Sequence, residues 1–183
     1  MPRAQRREQI LAAATEAFAR SGFAATSLED VARQAGVTRM IVYTHFESKT
    51  VLYQAVLDRM KNKLTEATGA PEFSAFSITA LLEVAAVEPA GFRLLFHHAA
   101  REPEFRAQID RARGRGFAIA HEYIGSEIPN PAWARWASAL IPTFTIEAVI
   151  AWLDSGQPDD PTRAAARISR GIEGILNAAK LAG

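Results

Sequence analysis

Apolar residues return every three to four positions along almost the whole chain, and this period predicts helices from end to end. Ile10, Ala14 and Phe18 mark a first helix, and Leu28, Val31, Ala32 and Ala35 a shorter second one. Ser27 opens the second helix with Asp30 three residues on, so a side-chain oxygen can cap its first free N–H groups. Gly36 supplies the left-handed residue that ends it, and Val37-Thr38 restarts the chain with Thr38 as a second cap. A third helix of barely two turns follows. On it Val42, with Phe46 just past the end, falls on the side that packs against Val31, Ala35 and the first helix. Arg39, Met40, Tyr43 and Thr44 project the other way, and Met40, Ile41 and Tyr43 together place much apolar surface in solvent.

Beyond Lys49 the pattern stays helical. Val51, Leu52, Ala55, Val56, Arg59 and Leu64 form one continuous element ending near Gly69-Ala70-Pro71. Further segments are expected at about 74–87, 89–100, 103–124, 131–154 and 161–181, with Pro89, Pro103, Pro129, Pro131, Pro158 and Pro161 at the joins. No segment alternates with period two between hairpin turns, so the fold class is all-α. The stretch from Trp133 to Leu153 is apolar on more than one side and needs a second buried face, with a kink at Pro142. The last segment sets Ala165, Ile168, Gly171, Ile172, Ile175 and Ala179 at three and four spacing, suited to close helix packing.

Two short helices broken by a glycine turn are how a protein presents one small helix to the major groove of DNA. Spacing alone also fits a plain helical hairpin whose glycine merely ends a helix. Charge favours the first reading once the chain is divided. Residues 1–63 hold 10 Lys+Arg against 6 Asp+Glu, a net +4, and residues 64–183 hold 11 against 14, a net −3. The basic part is the part with the helix-turn-helix. Arg3, Arg6 and Arg7 are expected to form a flexible arm toward phosphates or a minor groove, or else a solvated terminus.

The run from Ile10 to Leu52, with Gly22-Phe23, Thr26-Ser27, Val31-Ala32, Ala35-Gly36-Val37 and the stretch from Val42-Tyr43-Thr44-His45-Phe46 through Ser48-Lys49 to Leu52, resembles the DNA-binding domain of the TetR family of bacterial transcriptional regulators. The resemblance covers roughly the first quarter of the chain. It implies residues 1–49 as a three-helix DNA-binding domain and residues 50–183 as a larger helical effector-binding and dimerisation domain. Thr38, Arg39, Met40 and Thr44 would meet base edges, arginine bonding both guanine acceptors and methionine or Ile41 lying on a thymine methyl. Ser27, Tyr43, His45 and Lys49 would hold phosphates, which fix register without reading sequence. Bulky Met40, followed by Ile41 and Val42, departs from the small or turn-favouring residue that family members often carry near position 40, and bears on which operator is read.

The same resemblance implies a homodimer built on the last two long helices, with Trp152, Ile168, Ile172 and Ile175 at the seam. Two recognition helices so held would meet half-sites roughly 34–36 Å apart on double-stranded DNA, so the operator would be palindromic. It also implies a pocket for a small-molecule effector, apolar or aromatic, drawn from Phe73, Phe76, Phe92, Phe96, Phe105, Phe117, Tyr123 and Phe144, with Phe92, Phe96, Tyr123 and Phe144 foremost. Aromatics at helical spacing serve equally as plain core.

Composition narrows the remaining classes. The chain has 183 residues, about half apolar, and no cysteine, which excludes disulfides and thiolate metal sites and fits a reducing cytosol. No cofactor is called for. No metal is either, because His97-His98 are adjacent and diverge from a helix, and His121-Glu122 fares no better. No apolar run reaches the roughly twenty residues that span a bilayer, and the first residues lack an apolar secretory core, so the expectation is a cytoplasmic protein with no membrane partner. An enzyme built on His97, His121 and Glu147 lacks a nucleophile with a base, a phosphate loop and a metal-ligand spacing. A helical partner-binding module without DNA affinity is the remaining alternative.

Overall fold

The computed structural model of the chain describes residues 1–69 and 75–181, without the side chains of Ala75, Phe76 and Ala112. Phe73, the Phe76 side chain and the turn expected at Ala70-Pro71 lie outside the described residues. Every regular element among the described residues is helical. They run as α1 (Arg3–Ala25), α2 (Leu28–Gln34), α3 (Arg39–His45), α4 (Lys49–Thr68), α5 (Ala75–Val87), α6 (Pro89–Arg93), α7 (Arg106–Ile124), α8 (Pro131–Asp154) and α9 (Pro161–Lys180). Two compact units result: Met1–Lys63 with Glu88–Pro103, and Leu64–Val87 with Glu104–Gly183.

In the first unit α1 bends at Gly22, whose φ of 79° a side chain would resist, and Thr26 Oγ1 donates to Gly22 O at 2.7 Å to close the bend. The core takes Ile10, Leu11, Ala14 and Phe18 from α1, Val31 and Ala32 from α2, Val42 from α3, then Phe46 and, from α4, Leu52, Tyr53, Val56, Leu57 and Met60. Phe18 and Phe23 both meet the Tyr53 ring edge-on at 4.9 Å. Thus the basic helix-turn-helix shares its core with the first part of α4 and with residues 88–103, a unit larger than residues 1–49.

The segment expected as one helix over 89–100 is three short pieces. α6 widens into a π-turn at Leu94–His98, where Ala99 N–H reaches back to Leu94 O, and tightens into a 3₁₀ turn at Ala99–Arg101. Glu88, just before it, accepts from Arg59 Nη1 at 2.6 Å and from Lys63, while Arg59 Nε also holds Glu8 of α1 at 2.8 Å. Burial alone would raise the Glu88 pKa, but the hydrogen bonds from Arg59 and Lys63 outweigh it and leave it below the usual carboxylate value.

In the second unit α8 packs against α5, α7 and α9, and α9 against α5. α8 continues through Pro142 as one element, so the expected kink does not break it. Gly171 of α9 lies against the Phe144 ring so closely that a Cβ there would overlap it. Ile128, Ala134, Ala137, Ile141 and Ala179 form a buried cluster, with Ile172, Ile175 and Leu176 packed on it. One expectation is corrected here. By length and composition α8 is apolar enough to cross a membrane, with a mean hydropathy of 1.5 over its richest window, because scattered Ser, Thr and Pro interrupt its apolar run without lowering the average much. In the second unit α5, α7 and α9 pack on it.

Candidate nucleic-acid interface

The turn between α2 and α3 is built by local chemistry. Ser27 and Asp30 form a reciprocal capping box: Asp30 N–H donates to Ser27 Oγ at 3.1 Å and Ser27 N–H to Asp30 Oδ2 at 3.0 Å. The side-chain and backbone hydrogen bonds of Ser27 lower the Asp30 pKa. At the other end Gly36, with φ of 63°, gives N–H to Arg33 O while Val37 N–H reaches Ala32 O, a Schellman closure. Thr38 Oγ1 then accepts from Ile41 N–H, and α3 begins.

Only Val42 of α3 is buried, and Phe46 follows it into the core. Arg39, Met40, Tyr43 and Thr44 are exposed, Met40 at 78% and Tyr43 at 43% of their surface. Arg39 Nη2 donates to Tyr43 Oη at 3.1 Å and its guanidinium lies 5.3 Å from the Tyr43 ring centroid, so one turn of helix pre-aims the arginine. Tyr43 raises the Arg39 pKa through that bond, keeping the charge fixed. Thr44 spends its hydroxyl hydrogen on Ile41 O at 2.7 Å and Met40 O at 3.1 Å, which leaves its oxygen and methyl outward. Ile41 differs from expectation: it is half-buried, leaving Met40 as the apolar contact of this face.

The residues chosen for phosphates are placed differently from one another. Ser27 is exposed but already committed to its capping box. Lys49 is half-buried, and its ammonium sits on the end of α1, donating to Phe23 O at 2.8 Å and Ala24 O at 3.2 Å above the Phe23 ring. Two of its three N–H bonds are thereby used to join α1 to α4, leaving one for a phosphate. His45 is half-buried at the end of α3, and burial, then the charges of Arg3, Arg7 and Arg6, hold its pKa below the ordinary histidine value. Those arginines are not a flexible arm. They belong to α1, with Arg7 stacked on Phe46 at 5.1 Å.

The residues expected to line a pocket come from both units. Phe92, buried, and Phe96 pair at 4.7 Å in the first unit, whereas Tyr123, exposed, and Phe144, against Gly171, belong to the second. A polar cavity of about 330 Å³ lies instead along α1 and α2, lined by Arg20, Ser21, Thr26, Asp30, Arg33 and Gln34. The residues expected at a dimer seam differ in how much surface the single chain leaves them. Trp152 and Ile168 are buried within the single chain, Trp152 Nε1 donating to Asp159 O at 3.1 Å, and Ile172 and Ile175 pack on the cluster of the second unit. The aromatics that α8 does expose are Trp133 and Trp136, edge-to-face at 5.5 Å, which the sequence pattern counted only as surplus apolar surface.

Comparison with known proteins agrees with this geometry. The family of bacterial regulatory proteins of the tetR type matches residues 10–56. The HTH-type transcriptional activator FasR of Mycolicibacterium smegmatis is 28% identical over 170 residues, 87% of this chain and 78% of FasR. Further curated regulators match over shorter stretches, TtgR of Pseudomonas putida for instance at 50% identity over 54 residues, 30% of this chain and 26% of TtgR. A TetR-like transcriptional regulator from Rhodococcus sp. RHA1 superposes with a TM-score of 0.78 at 20% identity, covering 95% of this chain and 99% of that one. The FadR regulator of Bacillus subtilis, solved with stearoyl-CoA, does so with a TM-score of 0.63 at 22% identity, covering 96% and 99%. By their names these proteins regulate transcription, and the stretch that the family model matches contains the capped α2–turn–α3 unit. Residues 10–56 are a tetR-type DNA-binding domain, and over most of its length the chain is similar to regulators of transcription of that family.

Proposed function

We propose that the protein works as a cytoplasmic homodimer that sets its two α3 helices into successive major grooves of a palindromic operator and changes its grip when a small molecule binds. Residues 1–49 read the DNA, and residues 50–183 sense and dimerise. The observation that carries the reading is α3 itself: a two-turn helix capped at its start, anchored by Val42 and Phe46, with four outward side chains suited to base edges. Arg39 reads a guanine, Met40 lies against a thymine methyl, Thr38 and Thr44 take neighbouring edges, and Tyr43 holds a backbone phosphate. Repression is the simplest output, since a dimer seated on a promoter blocks access. FasR, by its name, is an activator, so the site's position decides the sign.

The seam is formed by α8 and α9. Trp133 at 46% and Trp136 at 40% exposure supply apolar surface of the kind that anchors interfaces. The effector is apolar or aromatic, and the stearoyl-CoA held by FadR makes long acyl chains the first class to screen.

Footprinting on the DNA flanking its own coding region tests the whole reading and should give symmetric protection over two half-sites. Arg39→Ala should cost about 1–3 kcal/mol of affinity and relax preference at one base pair. Full retention of sequence preference by that variant would remove α3 as the reader. Trp133→Ala with Trp136→Ala should turn the dimer into monomer in sedimentation.

A further inference from the structure

The chain holds three methionines and no cysteine, so no thiol competes with its thioethers for an oxidant. The fold treats the three differently. Met60 is 2% exposed in the core of the first unit, where Gly91 comes so near that a Cβ there would stand 3.1 Å from the Met60 sulfur. Met1 is exposed but precedes α1. Met40 is 78% exposed in the first turn of α3, on the face where Arg39, Tyr43 and Thr44 also stand outward.

Those neighbours are occupied with one another and leave the Met40 side chain in water. Arg39 is bonded to Tyr43 and lies on its ring, and the Thr44 hydroxyl turns back to the carbonyls of Met40 and Ile41. Val42 is the buried residue of α3, so a change at the Met40 sulfur alters the outward face and spares the anchor. A leucine at this position would offer a thymine methyl the same apolar contact. What methionine adds is a sulfur that turns from apolar to polar on taking up one oxygen.

We propose that Met40 is a reversible oxidation site through which oxidants of the peroxide class loosen the hold of α3 on DNA. This role rests on α3 being the element that meets base edges, as proposed above, and adds to it a chemical control. A lone pair of the sulfur attacks one oxygen of the peroxide, the S–O bond forms and the O–O bond breaks. The hydroxide released takes the proton of the transferred oxygen and leaves as water. Methionine loses two electrons and the peroxide gains them. A sulfoxide reductase supplied with a dithiol reverses the step, the oxygen leaving as water and the dithiol becoming a disulfide. The sulfoxide oxygen accepts hydrogen bonds and a thymine methyl offers none, so docking strips it of water without replacement. Affinity should fall about tenfold.

The test treats the full chain with hydrogen peroxide, follows each methionine by peptide mass spectrometry, and measures binding to a labelled duplex from the DNA flanking its coding region. Met40 should take up one oxygen at least about tenfold faster than Met60, as exposure dictates. Protein oxidised at Met40 should bind about tenfold more weakly than its untreated sample, keep the same thermal midpoint, and recover on incubation with methionine sulfoxide reductase and dithiothreitol. Met40→Leu, compared with its own untreated sample, should bind alike before and after peroxide. Met40 reacting no faster than Met60, oxidised wild type binding as the untreated protein does, or Met40→Leu losing affinity on treatment as wild type does would each overturn the site. Untreated wild type failing to bind any duplex in dilute buffer would overturn the DNA-binding assignment itself, and the control by oxidation with it.

Discussion

α3 and α8 both turn aromatic side chains outward, but they stand in opposite relation to the fold. α3 is seven residues long and buries Val42 alone, whereas α8 is 24 residues long and buries nine. A short helix held by a cap at one end and one core residue can change its outward face at little cost in stability. A long helix packed by three neighbours cannot. The helix proposed to choose an operator thus buries one residue, and the helix proposed for assembly buries nine.

Phe46→Ala would break this contrast most severely, because Phe46 is the second anchor of α3 and is 2% exposed. It should cost about 3–5 kcal/mol in denaturant unfolding. Met40→Ala, six residues earlier, should change stability by under about 0.5 kcal/mol and yet alter DNA preference. In the second unit Gly171→Ala forces a Cβ into the Phe144 ring and should cost about 1–3 kcal/mol. Adding Phe144→Ala should recover part of that loss, so a double-mutant cycle would show coupling. Equal additive losses would mean that the two helices do not meet there.

Glu88→Gln should cost about 1–3 kcal/mol, since it leaves Arg59 partly unpaired at 16% exposure. The sign with pH follows from a folded-state pKa below the ordinary 4.5. The stabilisation is complete above that value and disappears as pH falls through the lower folded value, so wild type should lose stability in acid where the glutamine variant changes less. Gly36→Ala should cost less: a Cβ there meets nothing within 4 Å, so the cost is the left-handed backbone alone, about 1 kcal/mol in a thermal melt.

Sequence reading succeeded where the physics is local. Ser27 with Asp30, the glycine at 36, Thr38 as a cap and the inward Val42 and Phe46 are all set within a few residues of one another, and each stands where the pattern puts it. It says less where a side chain is also used by something far along the chain. The sequence reads Lys49 as a phosphate cation, and only the fold shows that Phe23 O and Ala24 O, 26 and 25 residues earlier, take two of its N–H bonds. The arginine row reads as a frayed terminus until Phe46 gives Arg7 a surface to lie on. Trp152 and Ile168 fit a partner's face as well as their own core, and periodicity does not distinguish the two. Phe92 and Phe96 share an aromatic stretch with Tyr123 in the sequence but fold into a different unit.

The bond between Arg39 and Tyr43 has a consequence for kinetics as well as recognition. A free arginine samples many rotamers and must be frozen when it docks, whereas this one is already stacked and tethered at 3.1 Å. If Arg39 reads a base as proposed, part of the ordering cost has therefore been met during folding. Severing the tether with Tyr43→Phe would leave the stacking surface and return that freedom to the arginine, so complexes should come apart faster while still forming at nearly the same rate.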